Sequence, residues 1–212
     1  YYMIDSADVP YADGQIKALC AVLRKLLPEG KCLVAGLGNP SVASDSLGWK
    51  TAGKVLATSQ FVENMHSPDG IGNVAVIRTD VGANSGIDSV YHTVFCAEKI
   101  NADYIIAIDS LTCGDPDRLC RTIQITDTGI SPGSGIGGSK KQLDRKTAGI
   151  PVIAVGVPTS MEYENGKDRF FVTRHDIDAE TARYSHIIST AINRTLCPSL
   201  SAEDVTMLMN YS

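Results

Sequence analysis

Apolar residues along this chain follow two alternating rhythms. Lys31–Gly38 (KCLVAGLG), Asn73–Thr79 (NVAVIRT), Asp103–Asp109 (DYIIAID) and Pro151–Val157 (PVIAVGV) are short, nearly unbroken apolar runs, as expected of strands buried on both faces. Thr122–Thr128 (TIQITDT) alternates, which predicts one less buried face, and Arg169–Thr173 is a weaker last strand. Between the runs the apolar spacing changes to three and four. Ile16, Leu19, Cys20, Leu23, Leu26 and Leu27 form one face of a helix over Asp13–Leu27, which Pro28 and Gly30 end. Ser46–Thr58, Ile87–Ile100, Ala179–Leu196 and a short Ala202–Met209 also read as helices.

Strands that alternate with helices predict an α/β fold. Three layers are expected, with a largely parallel or mixed sheet covered by helices on both faces, of phosphorylase- or hydrolase-like type. No repeat or domain boundary is visible, so 1–212 reads as a single domain, and Met161–Asp168 as a polar surface turn. Functional groups in such folds gather beyond the carboxyl ends of the strands. The first run leads into Gly36-Leu37-Gly38-Asn39-Pro40 and then Ser44-Asp45-Ser46. Asp109 ends the third, and Asp127 ends the fourth before the Gly/Ser-rich loop Ser131–Lys141. Each Asp alone serves equally well as a cap on a turn or helix start. Three on one rim predict more. Two adjacent carboxylates share a proton, one acting as base and the other as acid. The loop through Gly133, Ser134 and Gly135 would offer backbone N–H groups to an extended peptide or an oxyanion.

Composition narrows the partners. Hydrophobic residues make up 43% of the chain, enough for a real core, and 19 Lys and Arg against 24 Asp and Glu give a net charge of −5. That balance argues against non-specific binding to nucleic acid or acidic membranes. There is no apolar run of about 18 residues and no charged-then-apolar leader, so a cytoplasmic protein is expected. The chain opens at Tyr1, and a front segment is taken to be absent or removed. Cys20, Cys32, Cys96, Cys113, Cys120 and Cys197 are scattered without a C-x-x-C pair, which predicts reduced thiols and no zinc or other cofactor.

Competing motifs lack their partners. Gly133-x-Gly135-x-x-Gly138 formally matches a dinucleotide fingerprint, but Lys140 and Lys141 follow it and no acid lies about 20 residues on. Ser134 has Pro132 where a nucleophile elbow needs glycine. His66, His92, His175 and His186 form no metal or triad pattern. The acids are the remaining conventional route to hydrolysis.

Longer stretches resemble the spore germination protease family. They are Gly36–Gly48 (GLGNPSVASDSLG), Ile106–Gly135 (IAIDSLTCGDPDRLCRTIQITDTGISPGSG), Ile150–Thr159 (IPVIAVGVPT), Ser85–Ser89 (SGIDS) and Phe171–Asp178 (FVTRHDID). The resemblance implies an atypical aspartate-dependent endopeptidase whose catalytic carboxylates match Asp45 and Asp109. Asn39, Arg118, Asp127 and the glycine loop would support them. It also implies cleavage of small acid-soluble spore proteins, a longer zymogen, a homotetramer, and a place in the spore core or forespore. The chain departs from the family pattern at Ala43-Ser44 before Asp45, at Gly114 in place of an arginine, at Cys120-Arg121 and at Gly138.

Other readings stay open. A weak or inactive homologue would only bind spore proteins or a partner protease. Gly36–Pro40 also resembles the opening of peptidyl-tRNA hydrolases, which need a histidine soon after it, and the first here is His66. A nickel-dependent hydrogenase-maturation-type endopeptidase would need a later histidine ligand, which the strand ending in Asp127 does not offer.

Overall fold

Three of the apolar runs, around Cys32–Gly36, Tyr104–Asp109 and Val152–Val157, form the middle of one mixed sheet, whereas the run Asn73–Thr79 lies at its edge, with Val74 the one buried residue of Val74–Arg78. The computed structural model describes residues 1–64, 69–133, 141–165 and 168–210. Its strands are β1 (Tyr2–Asp5), β2 (Cys32–Gly36), β3 (Val74–Arg78), β4 (Tyr104–Cys113), β5 (Thr122–Thr126), β6 (Val152–Asn165) and β7 (Asp168–Val172). They lie in the order β1-β5-β6-β4-β2-β3, with β7 also paired to β6. The four strands β6, β4, β2 and β3 are parallel, with β3 at the edge. Strands β1, β5 and β7 pair antiparallel with their neighbours. The helices are α1 (Ala12–Leu26), α2 (Leu47–Ala52), α3 (Ser59–Asn64), α4 (Gly82–Ser85), α5 (Ser89–Lys99), α6 (Arg145–Ala148), α7 (Ile177–Leu196) and α8 (Ala202–Asn210).

Successive strand residues feed two cores, giving the three-layer α/β arrangement that the alternation predicts. Val34, Ile106, Ile108 and Val155 pack with Leu19 and Leu23 of α1, Leu47 of α2 and Ile187, Ile188 and Ile192 of α7. Leu33, Ala35, Ile105 and Ala107 pack on the other face with Val90 and Ala97 of α5 and Ala148 of α6. Cover on both faces is why β2 is buried at every position and reads as an unbroken run. Each fully buried isoleucine, such as Ile105 or Ile106, contributes roughly 2–3 kcal/mol.

Several boundaries differ from the sequence reading. The helix over Ser46–Thr58 stops at Ala52, with Gly53 as its cap, and α3 begins at Ser59. The segment from Ile87 starts its helix at Ser89, where Asp88 accepts from the Val90 and Tyr91 N–H groups. Met161–Asp168 is no loose turn, because β6 runs on to Asn165 and pairs with β7 from Met161↔Val172. Strand β1 was not expected at all. Strand β4 outruns its neighbour: the last β2–β4 pair is Gly36↔Ile108, yet β4 continues beside β6 to Cys113↔Met161.

Two glycines place α2 directly on the sheet. A Cβ on Gly48 would lie 2.1 Å from the Ile108 carbonyl oxygen and 2.4 Å from that of Leu37. A Cβ on Gly36 would lie 2.3 Å from the Gly48 carbonyl oxygen. These neighbours are backbone and cannot swing aside as a side chain would. Gly48→Ala should therefore cost about 3 kcal/mol or more, at the upper end for overpacking. Urea unfolding followed by circular dichroism measures this, and a loss below about 1 kcal/mol would show that the crossing is less tight than described.

Candidate active site

After β2 the chain is turned sharply and then folded back. The Leu37 N–H donates to the Ile108 carbonyl at 2.8 Å. Gly38 follows at φ +104°, where a Cβ would meet the Asp45 carbonyl oxygen at 2.1 Å. Asn39 organises the next loop: its Oδ1 accepts from the Ser41 N–H at 2.9 Å and its carbonyl from the Val42 N–H at 3.2 Å. A 3-10 turn, Ala43–Asp45, ends the loop, and Thr159 Oγ1 of β6 ties it down by donating to the Ser44 carbonyl at 2.5 Å. Asp45 Oδ2 accepts from the Asn39 N–H at 2.8 Å. It does not cap α2, whose Ser46 cap position carries no side-chain bond. Burial raises the half-buried Asp45 carboxyl above its ordinary range, the Asn39 N–H opposes the shift, and the charge of Asp80 adds to it.

Asp109 is not the end of its strand. It lies within β4 and becomes a rim residue because β2 has stopped one residue earlier in register. It is 3% exposed, and its Oδ1 accepts from the Ser110 N–H at 2.9 Å. Burial pushes its carboxyl up to about 8, the nearby charge of Asp45 adds to the rise, and the Ser110 N–H opposes it. Asp109 follows Ala107 on the α5 face, whereas Asp45 leads into α2 on the opposite face. The two line one cleft at the sheet rim, and the charge of Asp45 reaches Asp109.

That cleft has a volume of about 1260 Å³, more than the roughly 300–1,000 Å³ usual for a small-molecule site. Asn39 and Gly133 line it with the two acids. Asp127 does not. Strand β5 runs antiparallel to β6, with Gln124↔Gly156 and Thr126↔Ala154, so its carboxyl end points to the rim opposite Asp109. The expectation of three acids on one rim is thereby corrected. Arg118 also stands apart, on an exposed 3-10 turn beside Asp115 at 3.5 Å. Ser134 and Gly135 lie outside the described residues. Sequence reasoning missed Asp88, Lys141, Glu162, Glu164 and Phe171, all of which line the cleft. Lys141 Nζ sits 3.4 Å from Asp88 and 3.7 Å from the Tyr91 ring centroid. The SGIDS stretch signals Asp88, whereas Glu162 and Glu164 lie in a segment that reads as a polar surface turn. Among the described residues no histidine lines the cleft and no three His, Cys, Asp or Glu side chains cluster as a metal site.

The family model described as germination protease matches residues 17–166. A germination protease from Clostridium tetani is 32% identical over 257 aligned positions that take in 98% of this chain and 80% of the relative. The chain belongs to the germination protease family. A family member from Oceanobacillus iheyensis is 41% identical over 150 residues, covering 69% of this chain and 41% of its own length. The chain thus spans less than half the length of that relative, and the Clostridium alignment exceeds its 212 residues, so the relative carries segments it lacks. Among solved structures, a [NiFe] hydrogenase maturation protease, HycI from Thermococcus kodakarensis, covers 81% of this chain and 99% of its own at 15% identity and a TM-score of 0.48. At that identity and TM-score the likeness implies nothing about chemistry.

The buried Asp109 makes a stability prediction. Its folded pKa lies above the unfolded value of about 3.9, so its contribution is fully present below that pH and is lost as pH rises through about 8. Asp109→Asn is neutral at every pH and escapes that loss. Its Tm should exceed that of the unsubstituted chain by about 3 °C or more at pH 9 and show no gain at pH 4. Differential scanning calorimetry at the two pH values checks the crossover, and equal Tm differences at both would show that Asp109 ionises freely in the fold.

Proposed function

We propose that this chain is an endopeptidase of germination that cuts small acid-soluble spore proteins, with Asp45 and Asp109 activating water against the peptide carbonyl. One observation carries the reading: a fully buried carboxyl raised to about 8 shares a cleft with a second, more accessible carboxyl whose charge it feels. Near neutral pH such a pair holds one proton. Asp109 keeps it and acts as the acid, polarising the carbonyl oxygen. Asp45, held by the Asn39 N–H, is the ionised partner and takes a proton from water. The hydroxide so formed adds to the carbonyl carbon. Collapse of the tetrahedral intermediate then breaks the C–N bond as Asp45 passes the proton it took from water to the leaving amine, which returns Asp45 to its ionised form and leaves Asp109 protonated. The family match supports protein as the substrate class.

The reading includes a homotetramer and a spore-core or forespore location, both implied by the family resemblance. No helix among the described residues is long and apolar enough to cross a membrane. Sedimentation showing only a 22.6 kDa species at micromolar concentration would count against the tetramer.

Each of Asp45→Asn and Asp109→Asn should lower kcat on a small acid-soluble spore protein by about 10²-fold or more, with folding confirmed by circular dichroism. The double variant should fall little further, because the two act as a unit. The pH–rate profile should lose activity on the alkaline side near pH 8, as Asp109 ionises, and on the acid side above the ordinary carboxylate range, as Asp45 is protonated. Near-normal turnover in either single variant would remove the two-aspartate mechanism.

A further inference from the structure

The cleft contains a strand edge to which no strand is paired among the described residues. In the parallel β2–β4 ladder Ile108 turns its carbonyl towards β2, where the Leu37 N–H takes it. Alternate residues of a strand face the same side, so Ser110 and then Thr112 present their backbone groups in that direction. Strand β2 has ended by then, and Gly38 turns the chain aside. On its other edge β4 stays paired with β6 as far as Cys113↔Met161, with a register shift at the Leu111–Thr112 step, where Thr159 is the extra residue on β6 and the alternation along β4 itself is kept. Asp109, Ser110, Leu111, Thr112, Cys113 and Gly114 all line the cleft. The Ser110 N–H is taken by Asp109 Oδ1, and among the described residues no strand is paired to the remaining edge groups. The Ser110 hydroxyl oxygen is buried there without a hydrogen-bond partner.

The opposite wall sets what fits. It is made by Gly38 and Asn39 and by Val81, Gly82 and Ala83 after β3, so the open lane is the one along which β2 would have continued. Beyond Cys113 the lane runs on past Glu162 and Glu164, where β6 has lost β4 as a neighbour. A single extended chain satisfies such an edge, since main-chain hydrogen bonds give affinity whatever the side chains. A compact protein cannot lend a bare strand to a lane walled on both sides.

We propose that the edge of β4 from Ser110 onward is the docking strand of this site, on which a flexible polypeptide is added as an extra strand beside Asp109. This inference rests on the endopeptidase reading and names how its substrate is held. It moves the main-chain contacts from the glycine-rich loop to the sheet itself. Because Asp109 immediately precedes the free edge, a chain hydrogen-bonded to Ser110 and Thr112 brings its own backbone carbonyls to the carboxylate pair.

The test uses a small acid-soluble spore protein as probe. Cut sites are mapped by mass spectrometry, and a peptide spanning the fastest site is made as a series in which one backbone amide at a time becomes an ester. Strand addition predicts that KM rises about 5- to 10-fold at every second residue on one side of the cut and hardly changes between them. Uniform effects, or effects confined to the scissile bond, would overturn the docking strand and leave the endopeptidase reading standing. Failure to cut the spore protein at all would overturn that reading, and the docking strand with it.

Discussion

Helix α2 touches the sheet with no side chain in between. Gly48 rests on the carbonyls of Ile108 and Leu37 and Gly36 closes on Gly48, so backbone meets backbone where β2 ends. This contact sets the height of α2, and through it the position of the Asp45 turn three residues earlier. It also marks the level at which β4 loses a neighbour and Asp109 becomes part of a rim. Thr159 on β6 holds the Asp45 turn from the other side. The carboxylate pair is thus positioned by two strands and a helix start, with little freedom left to the loop itself.

The pair is asymmetric because its surroundings are. Asp109 sits inside the sheet layer with one backbone donor, and burial dominates its chemistry. Asp45 lies at the cleft with an N–H aimed at it and keeps its charge more readily. Asp88, Glu162 and Glu164 also line the cleft, with Lys141 as the basic side chain among the described lining residues. The charges that act on the two acids are nearer at hand: Asp45 on Asp109, and Asp80 on Asp45.

Much of this was legible in the chain. Runs such as Cys32–Gly36 and Tyr104–Ile108 read as central strands because cover on both faces demands apolar residues at every position. Asp45 and Asp109 stood out because each follows such a run at a place where glycines or small residues open the backbone. The direction of β5 was not legible, since an apolar pattern is the same read from either end, and Asp127 was misplaced for that reason. Strand β1 has one buried residue, Ile4, and owes its form to pairing with β5 rather than to its own pattern. The far half of β6 reads as polar because it has left the core, although its ladder with β7 persists.

Strand β1 occupies the side of β5 that would otherwise be the margin of the sheet. Its four residues are matched from Tyr2↔Ile125 to Asp5↔Thr122, and Arg121 Nε holds Asp5 Oδ1 at 3.1 Å. Without this short cover, β5 would show a bare ladder backed by Ile123 and Ile125, which is a template for joining another chain edge to edge. Four residues that contribute little to the core thereby guard the protein against self-association into fibrils or amorphous precipitate. Loss of β1 would be felt as poor solubility, and it would also free the ladder partner of Gln124, which lines the cleft.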